Sequence, residues 1–308
     1  MYLNNPGFMK DLYTYRTMLL MLLPGMLIVL IFAYAPMPGI ILAFKKYNYS
    51  GGVFGSPWSG WENFRYFFTS GDAWRVTRNT GLYNIAFIVV NNLLQITVAI
   101  LMFEITRKWF RKITQTMLFL PYFISWVVVG AISYNFLSYK FGLLNSIMKS
   151  LGLEPINIYN TPEYWPYLLV VIMAWKAVGY GSILYLAAAS GIDTEMYEAA
   201  EIDGANVWKR IMKITLPCLY PTIIILILLA LGNIFRGDFG MFYNIVGNNG
   251  VLFGTTDIID TYVFRSLLVA NDIGISAAAG FYQSFLGFCT VITANYLVRR
   301  YNEDYALF

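Results

Sequence analysis

Six long apolar runs, separated by shorter polar segments, dominate the pattern of this 308-residue chain. Each run holds about 20 or more residues, the length at which an α-helix crosses roughly 30 Å of hydrocarbon. The pattern therefore predicts an all-α polytopic membrane protein. Its six transmembrane helices are expected at Thr17–Phe44, Gly81–Phe103, Thr114–Leu137, Trp165–Ala189, Leu216–Phe235 and Ser276–Val298.

Basic residues in the connections predict the orientation of the spans, because Lys and Arg accumulate on the cytoplasmic side. With the N-terminus inside, the inner segments hold 11 basic residues in 62 positions, and the outer segments hold 9 in 103. The inner segments are residues 1–16, 104–113, 190–215 and 299–308. Both termini are therefore predicted to be cytoplasmic, together with the connection between the fourth and fifth spans.

Composition excludes several classes of protein. Charged residues make up only 12% of the chain, where soluble domains carry about 25%. The absence of histidine excludes His-based catalysis and His-ligated metals. Cys218 and Cys289 fall inside predicted spans, where we expect small buried apolar residues rather than a disulfide or a metal site. The formal charge of +4 is scattered around the spans, which argues against nucleic acid as a partner.

The polar segment Glu198–Pro217 differs from every other connection, because its pattern predicts two short helices joined by a turn. Asp193 or Thr194 can cap the first helix. Gly204 permits a turn that a residue with a Cβ atom would resist. After the turn, Val207, Ile211 and Ile214 form an apolar stripe, and Lys209, Arg210 and Lys213 are expected to face solvent or headgroups.

The spacing in this segment resembles the loop with which permease subunits of binding-protein-dependent (type I) ABC importers engage their ATPase. That loop has Glu-Ala-Ala, three residues, Gly, nine residues, then Ile-x-Leu-Pro. The matching positions are Glu198, Ala199, Ala200, Gly204, Ile214, Leu216 and Pro217. The resemblance extends over nearly the whole chain. It implies an N-terminal helix and outer loop in residues 1–73, a five-helix permease core in 74–300 with its coupling loop at 190–215, and a short tail in 301–308.

The resemblance also implies a function. The chain is expected to be a permease subunit of the bacterial plasma membrane and not an enzyme. Its coupling residues would be Glu198, Ala199, Ala200, Asp203 and Gly204. No GxxxxGK[ST] phosphate loop occurs in the chain, so ATP and Mg²⁺ are expected to be used by a partner.

The expected assembly contains this chain, a second permease that is a different chain, two ATPase copies and an extracellular solute-binding protein. Three stretches resemble the complex-carbohydrate branch of these permeases, and they predict an oligosaccharide as the transported solute. They are Trp175–Asp193, Ile234–Asn249 and the ending Ala-Leu-Phe.

Polar and aromatic residues near the spans are candidates for the solute pathway. Lys176 lies in the middle of the fourth span, where a charge must face the bundle interior or water. It either donates to sugar hydroxyls or pairs with backbone carbonyls or a carboxylate. Asn233, Arg236 and Asp238 either line the cavity or bind the incoming solute-binding protein. Alternatively, Arg236 and Asp238 pair with each other at the membrane surface. The complete candidate set is Trp175, Lys176, Tyr180, Asn233, Arg236, Asp238, Tyr282 and Gln283.

A second hypothesis is a self-contained secondary transporter or channel for a polar solute. Such a protein is expected to have inverted repeats and interrupted helices around an ion site near the middle of the membrane. We detect no such repeat in the sequence. A membrane-embedded hydrolase or transferase lacks a convincing catalytic constellation.

Overall fold

The computed structural model describes residues 10–11 and 13–301, and these residues are almost entirely helical. Within them the extended backbone pairs only at one isolated bridge, between Lys45 and Trp58. The first nine residues and the predicted tail from residue 302 onward lie outside the described residues. We number the helices α1 Arg16–Phe44, α2 Glu62–Thr69, α3 Asp72–Glu104, α4 Lys108–Phe119, α5 Trp126–Leu137, α6 Leu143–Ser150, α7 Trp165–Ser190, α8 Thr194–Ile202, α9 Val207–Leu231, α10 Phe239–Ile245, α11 Ile259–Leu268 and α12 Ile273–Tyr301.

Five of these helices are long and apolar enough to cross a membrane on their own: α1, α3, α7, α9 and α12. The remaining crossing follows from the packing of α3 against α7. Near their first residues, Tyr83 packs in one cluster with Trp165, and near their last residues Ile100 packs with Ala189. The two helices therefore run parallel, and the chain must return across the bundle between them. The α4–α5 pair makes that return, and counting this bent pair as one span gives six spans by length and composition.

The third crossing differs from the prediction of one helix over Thr114–Leu137. Helices α4 and α5 meet at an angle of 93°. Pro121 carries no backbone N–H, and residues Leu120–Phe123 wind into a 3₁₀ turn before the chain extends at Ile124. The Ser125 side chain then caps α5 by accepting a hydrogen bond from the Val128 N–H. The third span is a broken helix.

Other spans are predicted well in position and less well in length. Helix α3 begins at Asp72, nine residues before its predicted start. The prediction began at the apolar run, and the first turns of the helix are more polar than that run. Helix α9 begins at Val207 and contains a π turn at Ile211–Thr215, so residues 207–215, about a third of the predicted loop 190–215, belong to the span. The expectation that Cys218 and Cys289 are buried is wrong, because both lie on exposed helix faces.

The largest apolar core lies at the end of the bundle opposite the 191–206 connection; we call these the far end and the loop end. At the far end, side chains of α5 and α10 pack on the first turns of α7. Asp257 is fully buried there and accepts hydrogen bonds from Arg265, Arg75 and Thr261. Buried carboxylates are tolerated when they are paired in this way. Packed apolar side chains and a paired carboxylate therefore hold the elements of the far end together.

We expect Gly179→Ala to destabilise the fold, because α4 crosses α7 at this residue. A Cβ atom at Gly179 would overlap the Leu118 carbonyl group. Overpacking of this kind costs about 1–3 kcal/mol. The measurement is the unfolding temperature of the purified chain in detergent. The control is Gly287→Ala in α12, where a Cβ atom meets nothing within 4 Å and helix propensity favours alanine. An equal response to both substitutions would contradict the close approach.

Candidate functional site

Helix α8 stands at the loop end between α7 and α9, and both of its ends are capped by its own sequence. At the start, the Asp193 carboxylate accepts a hydrogen bond from the Glu195 N–H at 3.0 Å. The acidic Glu195 in the first turn also favours the positive end of the helix dipole. Of the two residues predicted to cap this helix, Asp193 and Thr194, Asp193 is the cap.

Gly204 ends α8 in the left-handed conformation, with a φ of 73°. The Gly204 N–H donates to the Glu201 carbonyl at 3.0 Å, and the Ala205 N–H donates to the Ala200 carbonyl at 2.8 Å. This pair of bonds is the Schellman motif, which satisfies the last carbonyls of a helix and favours glycine. Asn206 then caps α9 by accepting from the Lys209 N–H at 2.9 Å. The four residues 203–206 therefore set the angle between α8 and α9.

The surface of α8 is unusual for a polar connection because it exposes large apolar side chains. Ile202 is 88% exposed and Trp208, just beyond the turn, is 73% exposed. Among the predicted coupling residues, Ala200 is half-buried, and Glu198, Ala199, Asp203 and Gly204 are exposed. This combination of an apolar patch, a flat Ala-Ala surface and carboxylates suits a protein partner better than water.

One face of α8 is fixed to the spans. The Tyr197 hydroxyl lies 2.9 Å from the Thr215 hydroxyl in α9, and Thr215 is fully buried. The Tyr197 ring also contacts the Phe103 ring at the end of α3, with a centroid separation of 5.7 Å. Burial raises the pKa of the Tyr197 hydroxyl, and its hydrogen bond to Thr215 opposes that effect. The neutral hydroxyl therefore persists as a link between α8 and two spans.

The start of α9 corrects the predicted apolar stripe. Ile211 packs against Leu219 and Ala189, but Val207 is exposed. Arg210 does not face solvent as expected; it is half-buried, with its guanidinium 3.6 Å from the Glu201 carboxylate. The π turn at Ile211–Thr215 adds a residue to one turn and rotates the positions before it relative to the rest of the helix.

Lys176 occupies the break in the third span. Its ammonium group donates to the carbonyls of Pro121 at 3.2 Å and Tyr122 at 2.8 Å, and to that of Ile124. An ammonium group has three N–H bonds, and each of them meets one of these carbonyls. The Pro121 carbonyl also accepts from the Ile124 N–H at 3.2 Å, whereas the Tyr122 and Ile124 carbonyls at the break have Lys176 as their partner. Of the two interpretations that the sequence left open, this geometry supports pairing with carbonyls.

Beside Lys176 lies an aromatic stack that joins α7 to the broken span. The Tyr180 ring stacks on the Tyr122 ring with a centroid separation of 4.4 Å and an interplanar angle of 9°. Phe119 extends the stack, and Tyr180, Tyr122 and Trp175 each keep an exposed portion. The sequence analysis selected Trp175 and Tyr180 but missed Tyr122 and Phe119. Their proximity depends on the break at Pro121, which sequence periodicity did not indicate.

Asp238 connects the surroundings of Lys176 to the far end. One of its carboxylate oxygens caps α10 by accepting from the Met241 N–H at 3.0 Å, and the other accepts from the Trp126 indole at 2.8 Å. The centroid of the Trp126 ring lies 5.1 Å from the Lys176 ammonium group, so Trp126 stands between Asp238 and Lys176. Asp238 therefore does not pair with Arg236, the alternative that the sequence left open. Asn233 is exposed, and within the described residues its side chain bonds only to the Leu229 carbonyl.

The two candidates in α12 face different neighbours. Gln283 donates to the Phe235 carbonyl at 2.8 Å and to the Asp260 carboxylate at 2.9 Å, so it anchors the connection after α9. Burial raises the pKa of Asp260, against the effect of hydrogen bonds from the Gly237 N–H and Gln283. Tyr282 turns away, accepts from the Thr77 hydroxyl and packs on Phe67. The predicted pathway residues thus form separate groups in this chain.

Residues 92–303 match the family described as the inner membrane component of binding-protein-dependent transport systems. The chain belongs to this family. It is a multi-pass membrane permease subunit of an ABC importer and not an enzyme; ATP hydrolysis belongs to a separate subunit. The family membership confirms the resemblance on which the sequence analysis depended.

Individual relatives agree with this assignment over almost their full length. The chain is 32% identical over 298 residues to Protein LplB of Bacillus subtilis (strain 168), covering 97% of this chain and 93% of LplB. It is 32% identical over 285 residues to the polygalacturonan/rhamnogalacturonan transport system permease protein YteP of the same organism, covering 92% and 88%.

Solved structures show the same fold. A chain of a bacterial ABC transporter involved in the import of the acidic polysaccharide alginate superposes with a TM-score of 0.86 at 33% identity, covering 96% of this chain and 99% of that chain. A chain of the bacterial alginate ABC transporter in complex with an alginate pentasaccharide-bound periplasmic protein superposes with a TM-score of 0.83 at 33% identity, covering 94% and 96%.

The variant Lys176→Met separates the two roles of this lysine. If Lys176 satisfies the Tyr122 and Ile124 carbonyls at the break, its loss leaves these two carbonyls unpaired, which costs about 1–3 kcal/mol. We expect a lower unfolding temperature in detergent and an unchanged solute affinity of uptake. Lys140→Met is the control, because Lys140 is exposed at the far end. Loss of solute affinity at an unchanged unfolding temperature would contradict this assignment.

Proposed function

We propose that this chain is one half of the translocation pathway of an ATP-driven oligosaccharide importer. In this proposal, a second and different permease supplies the other half, and an extracellular solute-binding protein delivers the carbohydrate. Two copies of a separate ATPase use ATP and Mg²⁺ and dock on the loop end, which is the cytoplasmic side together with both termini. The chain itself binds no cofactor.

The observation that carries the proposal is the geometry of α8. A short helix with two built-in caps exposes Ile202 and the Ala199–Ala200 surface, and Tyr197 links it to α3 and α9. A partner that moves α8 therefore also moves the inner ends of two spans. Glu198, Ala199, Ala200, Asp203 and Gly204 form the proposed ATPase contact.

A carbohydrate solute is supported by chemistry as well as by relatives. Aromatic faces bind sugar rings through their C–H groups, and the stack of Tyr180, Tyr122 and Phe119 with Trp175 beside it offers such faces in mid-span. The name of YteP refers to polygalacturonan and rhamnogalacturonan, and that of the alginate transporter refers to an acidic polysaccharide. In our proposal Trp175 and Tyr180 contact the solute and Lys176 holds the broken helix beside them. Asn233, Arg236, Asp238, Tyr282 and Gln283 remain proposed pathway residues.

The variant Gly204→Val tests the coupling role. Valine in the left-handed conformation costs about 1–2 kcal/mol and alters the turn between α8 and α9. We expect the complete importer to assemble in the membrane and to lose ATP hydrolysis that is stimulated by the loaded solute-binding protein, by about tenfold or more. The measurement is ATPase activity in proteoliposomes, with and without that protein.

A matched control exists at the far end of the same chain. Gly152 follows α6 with a φ of 73°, and its N–H and that of Leu153 form the same pair of bonds to the Lys149 and Met148 carbonyls. Gly152→Val therefore introduces the same backbone strain at a site remote from α8. Equal losses of stimulated ATPase activity in the two variants would refute a specific role of the Gly204 turn.

The variant Tyr180→Ala tests the aromatic stack. Aromatic contacts of this kind are worth about 0.5–1.5 kcal/mol, so we expect the solute concentration for half-maximal uptake to rise about 2- to 10-fold. Tyr180→Phe keeps the ring and is expected to resemble the wild type. Tyr167→Ala serves as a control on the same helix, because Tyr167 is exposed and 13 positions before Tyr180. Unchanged uptake by Tyr180→Ala would remove the stack from the pathway.

A further inference from the structure

The beginning of α4 carries the strongest concentration of positive charge in the described structure. Four basic residues occur within six positions: Arg107, Lys108, Arg111 and Lys112. Within the described residues none of their side chains forms an ion pair or hydrogen bond. Between Asp72 and Glu154 the sequence has a single acidic residue, Glu104, and it does not pair with them. The chain leaves this charge uncompensated.

Electrostatics makes this arrangement unfavourable in isolation. The first turn of a helix is the positive end of its dipole, where acidic residues are stabilising and basic residues are not. Helices α8 and α10 follow that rule, with Asp193 and Asp238 as caps. Helix α4 has no acidic residue in its first turn and no side-chain cap. An external anion at this position would remove the repulsion among the cations.

The charged face of α4 adjoins an exposed apolar face. Lys108, Arg111 and Lys112 project from one side of the helix, at spacings of three and four residues. On another side, Trp109 is 75% exposed, and Phe110, Ile113 and Met117 continue the apolar surface toward the middle of the span. Leu118 faces inward and packs near Tyr185 of α7. The exposed apolar face is thus continuous with the broken third span.

We propose that the start of α4 is a binding site for the headgroup of an anionic phospholipid, such as phosphatidylglycerol, in the leaflet at the loop end. Lys108, Arg111 and Lys112 contact the phosphate and its glycerol, with Arg107 beside them. Trp109 and Phe110 lie at the boundary between headgroups and acyl chains, where amphipathic aromatic residues concentrate. Clusters of basic residues next to a span recognise anionic lipids in this way.

The site also has a consequence for the pathway. Helix α4 leads without interruption to Phe119, where the aromatic stack and the break at Pro121 begin. A lipid that keeps the first turn of α4 at the membrane surface also fixes how deep in the membrane the break at Pro121 lies. This inference depends on the membrane location of the chain and does not depend on coupling through α8.

Lipid binding can be measured on the purified full-length chain in detergent by native mass spectrometry. The probe is phosphatidylglycerol, compared with phosphatidylcholine of the same acyl chains. The test variant is Lys108→Gln/Arg111→Gln/Lys112→Gln. The matched control is Lys46→Gln/Lys140→Gln/Lys149→Gln, which removes three exposed charges at the far end. We expect the test variant to bind phosphatidylglycerol about tenfold or more weakly, and the control to bind as the wild type does.

Two further arms make the outcome decisive. The charge-preserving variant Lys108→Arg/Arg111→Lys/Lys112→Arg is expected to keep phosphatidylglycerol binding, which excludes misfolding as the cause of a loss. Brominated phosphatidylglycerol is expected to quench part of the tryptophan fluorescence of the wild type. That quenching is expected to be absent in Trp109→Phe. Wild-type binding by the test variant, or equal loss in the far-end control, would overturn the proposal. Intact lipid binding with loss of ATPase co-purification would instead make the cluster a protein contact.

Discussion

The contact between Tyr197 and Thr215 is the interaction on which the rest of the account depends. It joins the exposed helix α8 to a buried hydroxyl inside α9, and the Tyr197 ring adds a contact with Phe103 of α3. Without it, α8 would be a short helix held by its two connections and by the ion pair between the largely exposed Glu201 and Arg210. Short helices are marginal in water. With it, α8 and the loop-end residues of α3 and α9 form one packed unit. The Schellman turn at Gly204 then fixes the direction in which that unit continues into α9.

A second unit lies around the break in the third span. Backbone groups inside a membrane must be satisfied by the protein, so a broken helix needs a donor for its free carbonyls. Lys176 supplies it, and Trp126 and Asp238 extend the contact to the far end. An interrupted span was an expectation of the secondary-transporter hypothesis, yet here a lysine of the same chain satisfies the carbonyls. Family membership, and not the presence of a break, decides between the two hypotheses.

Much of the fold follows from the sequence, because bilayer thickness sets the length of an apolar helix. The caps of α8 were also predictable, since Asp193 and Gly204 act through local backbone geometry. The break at Pro121 was not, because proline inside an apolar run is compatible with either a kinked or a broken helix. Carbonyl partners have no sequence signature, so the role of Lys176 stayed open, and the stack of Tyr122 on Tyr180 depends on the same break. The π turn at Ile211–Thr215 shifted the helical phase and made the prediction for Arg210 wrong.

The central claim is that α8 and the start of α9 move as one body during the ATP cycle. Spin labels at Glu198→Cys and Lys213→Cys, in a chain with Cys218 and Cys289 replaced by serine, report the distance between them in the assembled importer. The account predicts the same narrow distance distribution in the nucleotide-free and ATP-bound states, while the distance from residue 198 to a label on the partner ATPase changes. A shift or broadening of the distance between residues 198 and 213 on ATP binding would contradict it.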